Sequence, residues 1–222
     1  MLLKDLYSHE IIEKEFNTEK LYRMLLDNDF FEVKRQEVIL KKGECVELEK
    51  GGIDYVYYIS EGVAAINIED QVIDFRGPAD FFGLVDSTSV QGAKFHLNPL
   101  NEITMSRFEK NEVMAKIMSL QDGYLYHYTC MLDRYRMYEN RIIVNDATDE
   151  KRTLLELREI GSKFGKDEVQ KDKVVVPGFF TRKLIANYLG ISRTKLSDIL
   201  LKLRHEGLVT VDSKRQILVC LK

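Results

Sequence analysis

Apolar positions along this chain change their period twice. Up to about residue 107 they come in short runs, alternating or rich in β-branched and aromatic residues, as half-buried strands require. After an opening helical stretch at Asn17–Asn28, strands are predicted at Glu32–Leu40, Tyr55–Ile59, Val63–Glu69 and Gln71–Phe75. In the third run Val63, Ala65 and Asn67 share one face, while Ala64, Ile66 and Ile68 share the other. Glu69-Asp70 reads as a turn, and Gly43, Gly51, Gly52, Gly62, Gly77 and Gly83 punctuate the rest. Short strands with glycine between them predict a small antiparallel barrel or roll.

From Phe108 to Asp146 the period becomes helical, with Asp122-Gly123 dividing two helices and Asp122 placed to cap the second. In the longer helix Leu125, Tyr128, Leu132, Tyr135 and Ile142 fall at steps of three, four and seven. Tyr124, Met131 and Tyr138 form an adjacent stripe. A small roll covers only part of so wide an apolar face, so a partner helix from a second subunit is expected to cover the remainder.

A third block opens near Ala147. Lys151–Phe164 reads as a helix, Gly165–Asp172 as a charged loop, and Val174–Val176 as a strand ended by Pro177-Gly178. Thr181 stands where a helix would begin, with Leu184, Ile185 and Leu189 on its apolar side and Gly190 at its end. Ile191 is placed to fill the angle before Ser192 caps a second helix, whose buried stripe is Leu196, Ile199, Leu200 and Leu203. Its outward positions Arg193, Thr194, Lys195, Ser197 and Asp198 are all polar and lie in the first two turns. That is how a recognition helix presents itself to the major groove, where an arginine can donate two bonds to guanine. Gly207 ends the helix. Leu208–Val211 and Gln216–Val219 then pair as a hairpin whose turn, Asp212–Arg215, carries Lys214 and Arg215. A basic hairpin beside a recognition helix adds phosphate contacts and salt dependence.

The charge distribution supports the same end of the chain. From Gly178 to Lys222 nine Lys and Arg stand against three Asp and Glu, a net +6, while the preceding residues carry 24 against 33, a net −9. A basic terminal domain on an acidic body suits a polyanionic partner. The three cysteines, Cys45, Cys130 and Cys220, are far apart and are expected as buried free thiols. The histidines His9, His96, His127 and His205 are isolated, which offers no metal-ligand cluster. No long apolar run and no secretion signal are read, so a cytoplasmic protein without a membrane partner is expected.

Over nearly all of its length, and in order, the chain resembles the cyclic-AMP receptor protein/FNR (Crp/Fnr) family of bacterial regulators, most specifically in its C-terminal part. The residues that carry this are Thr181-Arg182, Ile185-Ala186, Leu189-Gly190, Ser192-Arg193, Ser197, Leu200 and Leu203. Lys42-Gly43, Tyr57-Tyr58-Ile59-Ser60-Glu61-Gly62, Asp80-Phe81-Phe82-Gly83 and Ser106-Arg107-Phe108 resemble, more loosely, the landmarks of the family's roll. The resemblance implies an α+β chain of three parts. These are a cyclic-nucleotide-binding-like β-roll (1–107), a helical linker with a dimerisation helix (108–146), and a winged helix-turn-helix (147–222). It implies a homodimer on a palindromic duplex, held by Thr181, Arg182, Ser192, Arg193, Thr194, Lys195, Ser197, Lys214 and Arg215. RNA polymerase and a small-molecule effector of unidentified nature are the further partners it allows.

Departures from the family pattern bear on the signal. Relatives that bind cyclic AMP follow the Phe-Gly pair with a Glu for the ribose and later an Arg for the phosphate. Here Leu84 follows Gly83, no arginine lies between Arg76 and Arg107, and Lys94 supplies only a point charge. Control by cyclic AMP is therefore not expected. An iron–sulfur cluster near the start would need cysteines, and the first is Cys45; a haem would need His96 or His127 in a context neither has. No cofactor is expected. Thr194 and Asp198 stand where many relatives carry Glu and Arg, so a different operator is expected. An enzyme built on the roll would need converging His and Glu, and only His96 lies there, so no enzyme is expected. The alternative is a ligand-binding or scaffold protein whose helix-turn-helix meets protein instead of DNA.

Overall fold

A computed structural model of the chain describes residues 9–28, 31–48, 54–86, 95–145, 147–165, 172–211 and 216–221. The chain forms two compact units. One comprises Met1–Glu69 with Phe75–Tyr138, the other Asp70–Asp74 with Glu139–Lys222.

The first unit opens with α1 (His9–Glu15) and α2 (Thr18–Leu26). Eight strands follow: β1 (Gln36–Leu40), β2 (Val46–Leu48), β3 (Tyr55–Glu61), β4 (Ala64–Ile68), β5 (Gln71–Arg76), β6 (Phe81–Phe82), β7 (Phe95–Pro99) and β8 (Ile103–Glu109). They make two four-stranded sheets in the orders β1-β8-β3-β6 and β2-β7-β4-β5. The pairs β1–β8, β3–β8, β3–β6, β2–β7 and β4–β7 are antiparallel. The expected roll is therefore a sandwich of two sheets. Helices α3 (Lys110–Ser119) and α4 (Tyr124–Asn145) come next, with the first unit extending along α4 to Tyr138.

The central strand β3 is buried at four consecutive positions, Val56 to Ile59, where alternation alone would leave every second one wet. The reason is a cover of helices. Val56, Tyr58 and Phe108 pack with Leu21 and Leu25 of α2 and Val113 and Ile117 of α3 in one buried cluster. Tyr22 stacks on Tyr58 with ring centroids 3.8 Å apart and planes 6° from parallel. Its hydroxyl lies 3.0 Å from the Ser106 hydroxyl, which keeps the polar end of a partly buried ring satisfied. Burial of one such large apolar side chain contributes about 2–3 kcal/mol.

Gly62, between β3 and β4, needs its missing side chain. It sits at φ +86, and a Cβ there would lie 2.3 Å from the Glu102 carbonyl oxygen. The neighbouring Val63 N–H donates to Asn101 Oδ1 at 2.7 Å, and the Leu100 N–H to Val63 O at 2.8 Å, which locks this turn against the β7–β8 connection.

The observed boundaries differ from the sequence-based ones at two places. Phe108, expected to open the helix, is a strand residue registered against Val56, and α3 starts at Lys110. Residues 32–35, expected as strand, lie outside β1, where the Lys34 N–H donates to Glu112 Oε2 (3.1 Å) instead of a ladder. The Asp122 backbone carbonyl, 3.0 Å from the Leu125 N–H, supports the start of α4. The segment His9–Glu15 is helical and buries Ile12.

The second unit holds α5 (Asp149–Phe164), β9 (Lys173–Val176), α6 (Arg182–Leu189), α7 (Arg193–His205), β10 (Val209–Val211) and β11 (Ile217–Cys220). The expected hairpin is one edge of a larger sheet. β11 is its centre, paired antiparallel with β10 through Val219↔Val209 and with β9 through Ile217↔Val176. Leu157, Ile160, Val174, Val176, Ile185, Leu196, Leu203, Val209 and Val219 are buried in this unit. Among the described residues, no helix is long and apolar enough to cross a membrane.

Candidate nucleic-acid interface

Three residues join α6 to α7, and each has a local cause. Thr181 precedes α6 in extended conformation and accepts the Leu184 N–H on its hydroxyl at 3.3 Å. At the other end Gly190 adopts φ +67 and ψ 30, a left-handed conformation that L side chains disfavour. Its N–H reaches Asn187 O and the Ile191 N–H reaches Ala186 O, both at 3.0 Å, so the last carbonyls of α6 are used. Ile191 is half-buried, and Ser192 then caps α7 by accepting the Lys195 N–H at 3.1 Å.

Leu196, Ile199, Leu200 and Leu203 are buried at steps of three, one and three, which fixes the roll of α7 about its axis. On α6 the buried side is Ile185, Ala186, Tyr188 and Leu189, with Leu184 only half-buried. Thr181, Arg182, Ser192, Arg193, Thr194, Lys195 and Asp198 are exposed. The structure thus brings the cations Arg193 and Lys195 to the positive end of α7, where an anion is favoured. Ser197 is half-buried, and its hydroxyl donates back to Arg193 O at 3.0 Å. Arg182 and Ser197 line one shallow groove of about 270 Å³ with Asp198, Leu201, Arg204 and Val211. Lys214 and Arg215, expected at the hairpin tip, lie outside the described residues.

One feature of this face has no sequence signal, because it is a contact between distant segments. The Lys195 ammonium is ion-paired with the Asp149 carboxylate, and Lys202 with Glu150 at 3.1 Å. Both acids open α5, where Thr148 caps the helix. The hydrogen bond from Lys195 holds the Asp149 carboxyl below its ordinary range.

The long helix α4 shows a second ordered surface. Tyr124, Tyr128, Met131, Tyr135, Tyr138 and Ile142 are all exposed, with Tyr135 at 63% and Ile142 at 69%. Their spacing is four, three, four, three, four, the alternation of a coiled-coil seam. Leu125, placed in the stripe by spacing, is instead buried in its own unit at 3% exposure, and Leu132 is half-buried. Ile143 and Met118 are exposed apolar residues that the spacing argument passed over.

The roll contains a buried ion pair. Arg76, 1% exposed, donates to both carboxylate oxygens of Asp86 at 2.8 and 2.5 Å and to Phe81 O at 2.6 Å. The Gly83 N–H donates to the same carboxylate at 2.7 Å. Burial pushes the Asp86 carboxyl up, but the Arg76 guanidinium and the Gly83 N–H outweigh it and hold the group below the ordinary carboxylate range. Leu84, beside this turn, is buried. The cysteines differ from one another: only Cys130 is fully buried, Cys220 is half-buried, and Cys45 is exposed, against the expectation of burial for all. Burial pushes the Cys130 thiol up to about 12, so it stays protonated at neutral pH.

A family profile, the Crp-like helix-turn-helix domain, matches residues 151–221. No curated protein matches the chain in sequence. Among solved structures, a cyclic nucleotide-binding domain containing protein from Listeria monocytogenes EGD-e superposes with a TM-score of 0.73 at 15% identity, over 91% of this chain and 96% of its own. FixK2 from Bradyrhizobium japonicum superposes at 0.68 with 18% identity, over 84% and 92%. A proposed transcriptional regulator of the crp/fnr family from Eubacterium rectale superposes at 0.59 with 17% identity, over 95% and 93%. At these identities the structures speak for the fold. It is an α+β chain with an N-terminal cyclic-nucleotide-binding-like sandwich, a long helix, and a C-terminal helix-turn-helix with a small wing sheet.

Proposed function

We propose that this chain, whose residues 151–221 match the Crp-like helix-turn-helix domain, is a DNA-binding transcription regulator of the Crp/Fnr type that works as a homodimer on a palindromic operator and without cyclic AMP. The observation that carries the dimer is the exposed 4-3-4-3-4 seam on α4. Six large apolar side chains in one row lose hydrophobic stabilisation in water, and a second copy of the same helix covers them about a twofold axis. Two copies of α7 then read half-sites roughly 34 Å apart. Thr181, Arg182, Ser192, Thr194 and Lys195 contact the backbone or neighbouring bases, with Lys214 and Arg215 adding phosphate contacts from the hairpin.

The pair in the roll supports independence from cyclic AMP. A buried phosphate needs a cation whose charge is not already spent. The guanidinium at the Phe-Gly turn is bound on both donor sides by Asp86.

Arg193 leads α7, exposed at the helix start, and is the residue proposed to read a guanine edge. Arg193→Ala is expected to cost about 1–3 kcal/mol on the preferred duplex, roughly tenfold to a hundredfold in affinity, and to relax preference at one base pair per half-site. Fluorescence anisotropy on a duplex selected from a random library, and on its single-base variants, measures both effects. Unchanged affinity and unchanged preference would remove Arg193 from the readout. Failure of the parent protein to prefer any duplex over random competitor would remove the DNA reading itself.

A further inference from the structure

We infer that Asp149 competes with DNA phosphate for the Lys195 ammonium, and so holds down the protein's affinity for duplex; this rests on α7 being the DNA-reading helix. Lys195 is the second cation of that helix and lies in its first turn. Its ammonium is not simply solvated, because the Asp149 carboxylate pairs with it. Asp149 stands at the start of α5 and also accepts from Arg152 at 2.7 Å, so the carboxylate is held by a second cation when Lys195 leaves. Glu150, next along α5, holds Lys202 from the same helix α7 at 3.1 Å. The start of α5 therefore presents two anions to the basic helix.

Binding has two electrostatic consequences. First, a phosphate that takes Lys195 replaces an existing ion pair, so the gain is a difference between two partners. Second, the phosphate arrives beside a carboxylate, and like charges at that range repel. Counterion release follows the same reasoning. A lysine already neutralised by an internal carboxylate adds little to the salt dependence of binding, whereas one neutralised by mobile anions adds close to a full counterion. Asp149 is thus a positioning residue: it touches no base, and acts only through the availability of Lys195.

The test measures duplex affinity of the full chain by anisotropy across a series of salt concentrations, on the selected duplex and on a scrambled duplex of equal length. Asp149→Asn is expected to raise affinity about threefold per recognition helix, about tenfold for two, and to steepen the salt dependence by about one counterion per helix. Asp149→Ser, which keeps an oxygen at the start of α5, is expected to give the same gain, with thermal melts confirming a folded domain for both. In a Lys195→Gln background the Asp149→Asn gain is expected to vanish. Glu159→Gln, an exposed acid on the same helix, is expected to stay within about twofold of the parent, as a control for bulk charge. The inference is overturned if the folded Asp149 variants bind no tighter, or if their gain survives Lys195→Gln. Should the parent bind neither duplex, the assignment of α7 to DNA fails, and this inference with it.

Discussion

Tyr135→Glu is expected to turn the protein into a monomer and to cost at least about a hundredfold in affinity for the two-half-site duplex, through lost bivalency. The residue sits in the middle of the α4 seam and is 63% exposed in the single chain. Its replacement therefore leaves the subunit's own core intact. In the proposed dimer it faces its symmetry mate, and two buried carboxylates opposite one another repel and lose their hydration. The outcome separates into two readings. Analytical ultracentrifugation should report half the parent mass with an unchanged circular dichroism spectrum. Anisotropy should show that a single half-site is bound about as weakly by the variant as by the parent. A variant that still sediments as a dimer and still binds the full site would show that this seam does not join the subunits.

Asp86→Ala is expected to destabilise the roll by about 3–5 kcal/mol, because it removes the carboxylate that accepts two hydrogen bonds from the buried Arg76 guanidinium. For a chain of this size the loss amounts to a fall in melting temperature of about 10 °C or more. The double replacement Arg76→Met with Asp86→Leu is expected to recover most of it, since an apolar pair of similar volume needs no compensation. The same pair sets a pH dependence. The Asp86 carboxyl is held below its ordinary range in the folded state, so its contribution is fully present above the unfolded value of about 3.9. It is lost as the pH falls through the lower folded value. Acid unfolding of the parent should therefore steepen below about pH 4. Differential scanning calorimetry across that range, on the parent and the double variant, measures the contribution directly. Equal melting temperatures for parent and Asp86→Ala would mean the pair holds nothing together.

The helix-turn-helix was readable because its determinants are local. Thr181, Gly190 and Ser192 act on backbone groups within four residues of themselves. The buried stripe Leu196, Ile199, Leu200 and Leu203 obeys a single helical period. Residue types alone carry such information. The sandwich was readable only in outline. The strands read at Val63–Glu69 and Gln71–Phe75 lie close to the observed Ala64–Ile68 and Gln71–Arg76. Phe95–Pro99, by contrast, holds a histidine, an asparagine and a proline, and becomes a strand through pairing with Ala64–Ile68 some 30 residues earlier. Tertiary context overrides propensity there.

The contacts that matter most for electrostatics were the least readable. Arg76 and Asp86 are ten residues apart across a turn, and Lys195 and Asp149 come from different helices. Neither pair has a spacing rule. The α4 seam lies between these cases. Period placed every member of it on the right helix, but only the packed subunit shows that Leu125 belongs to the inside while Tyr124 stays out.

The strand order of the C-terminal unit governs when that unit can be completed during synthesis. Its middle strand, Ile217–Cys220, is made after both of its neighbours, Lys173–Val176 and Val209–Val211. The two outer strands have no partner for their hydrogen bonds until it leaves the ribosome. A chain truncated before Ile217 would therefore carry α7 without the three-stranded sheet of its unit, and the product would go to proteolysis.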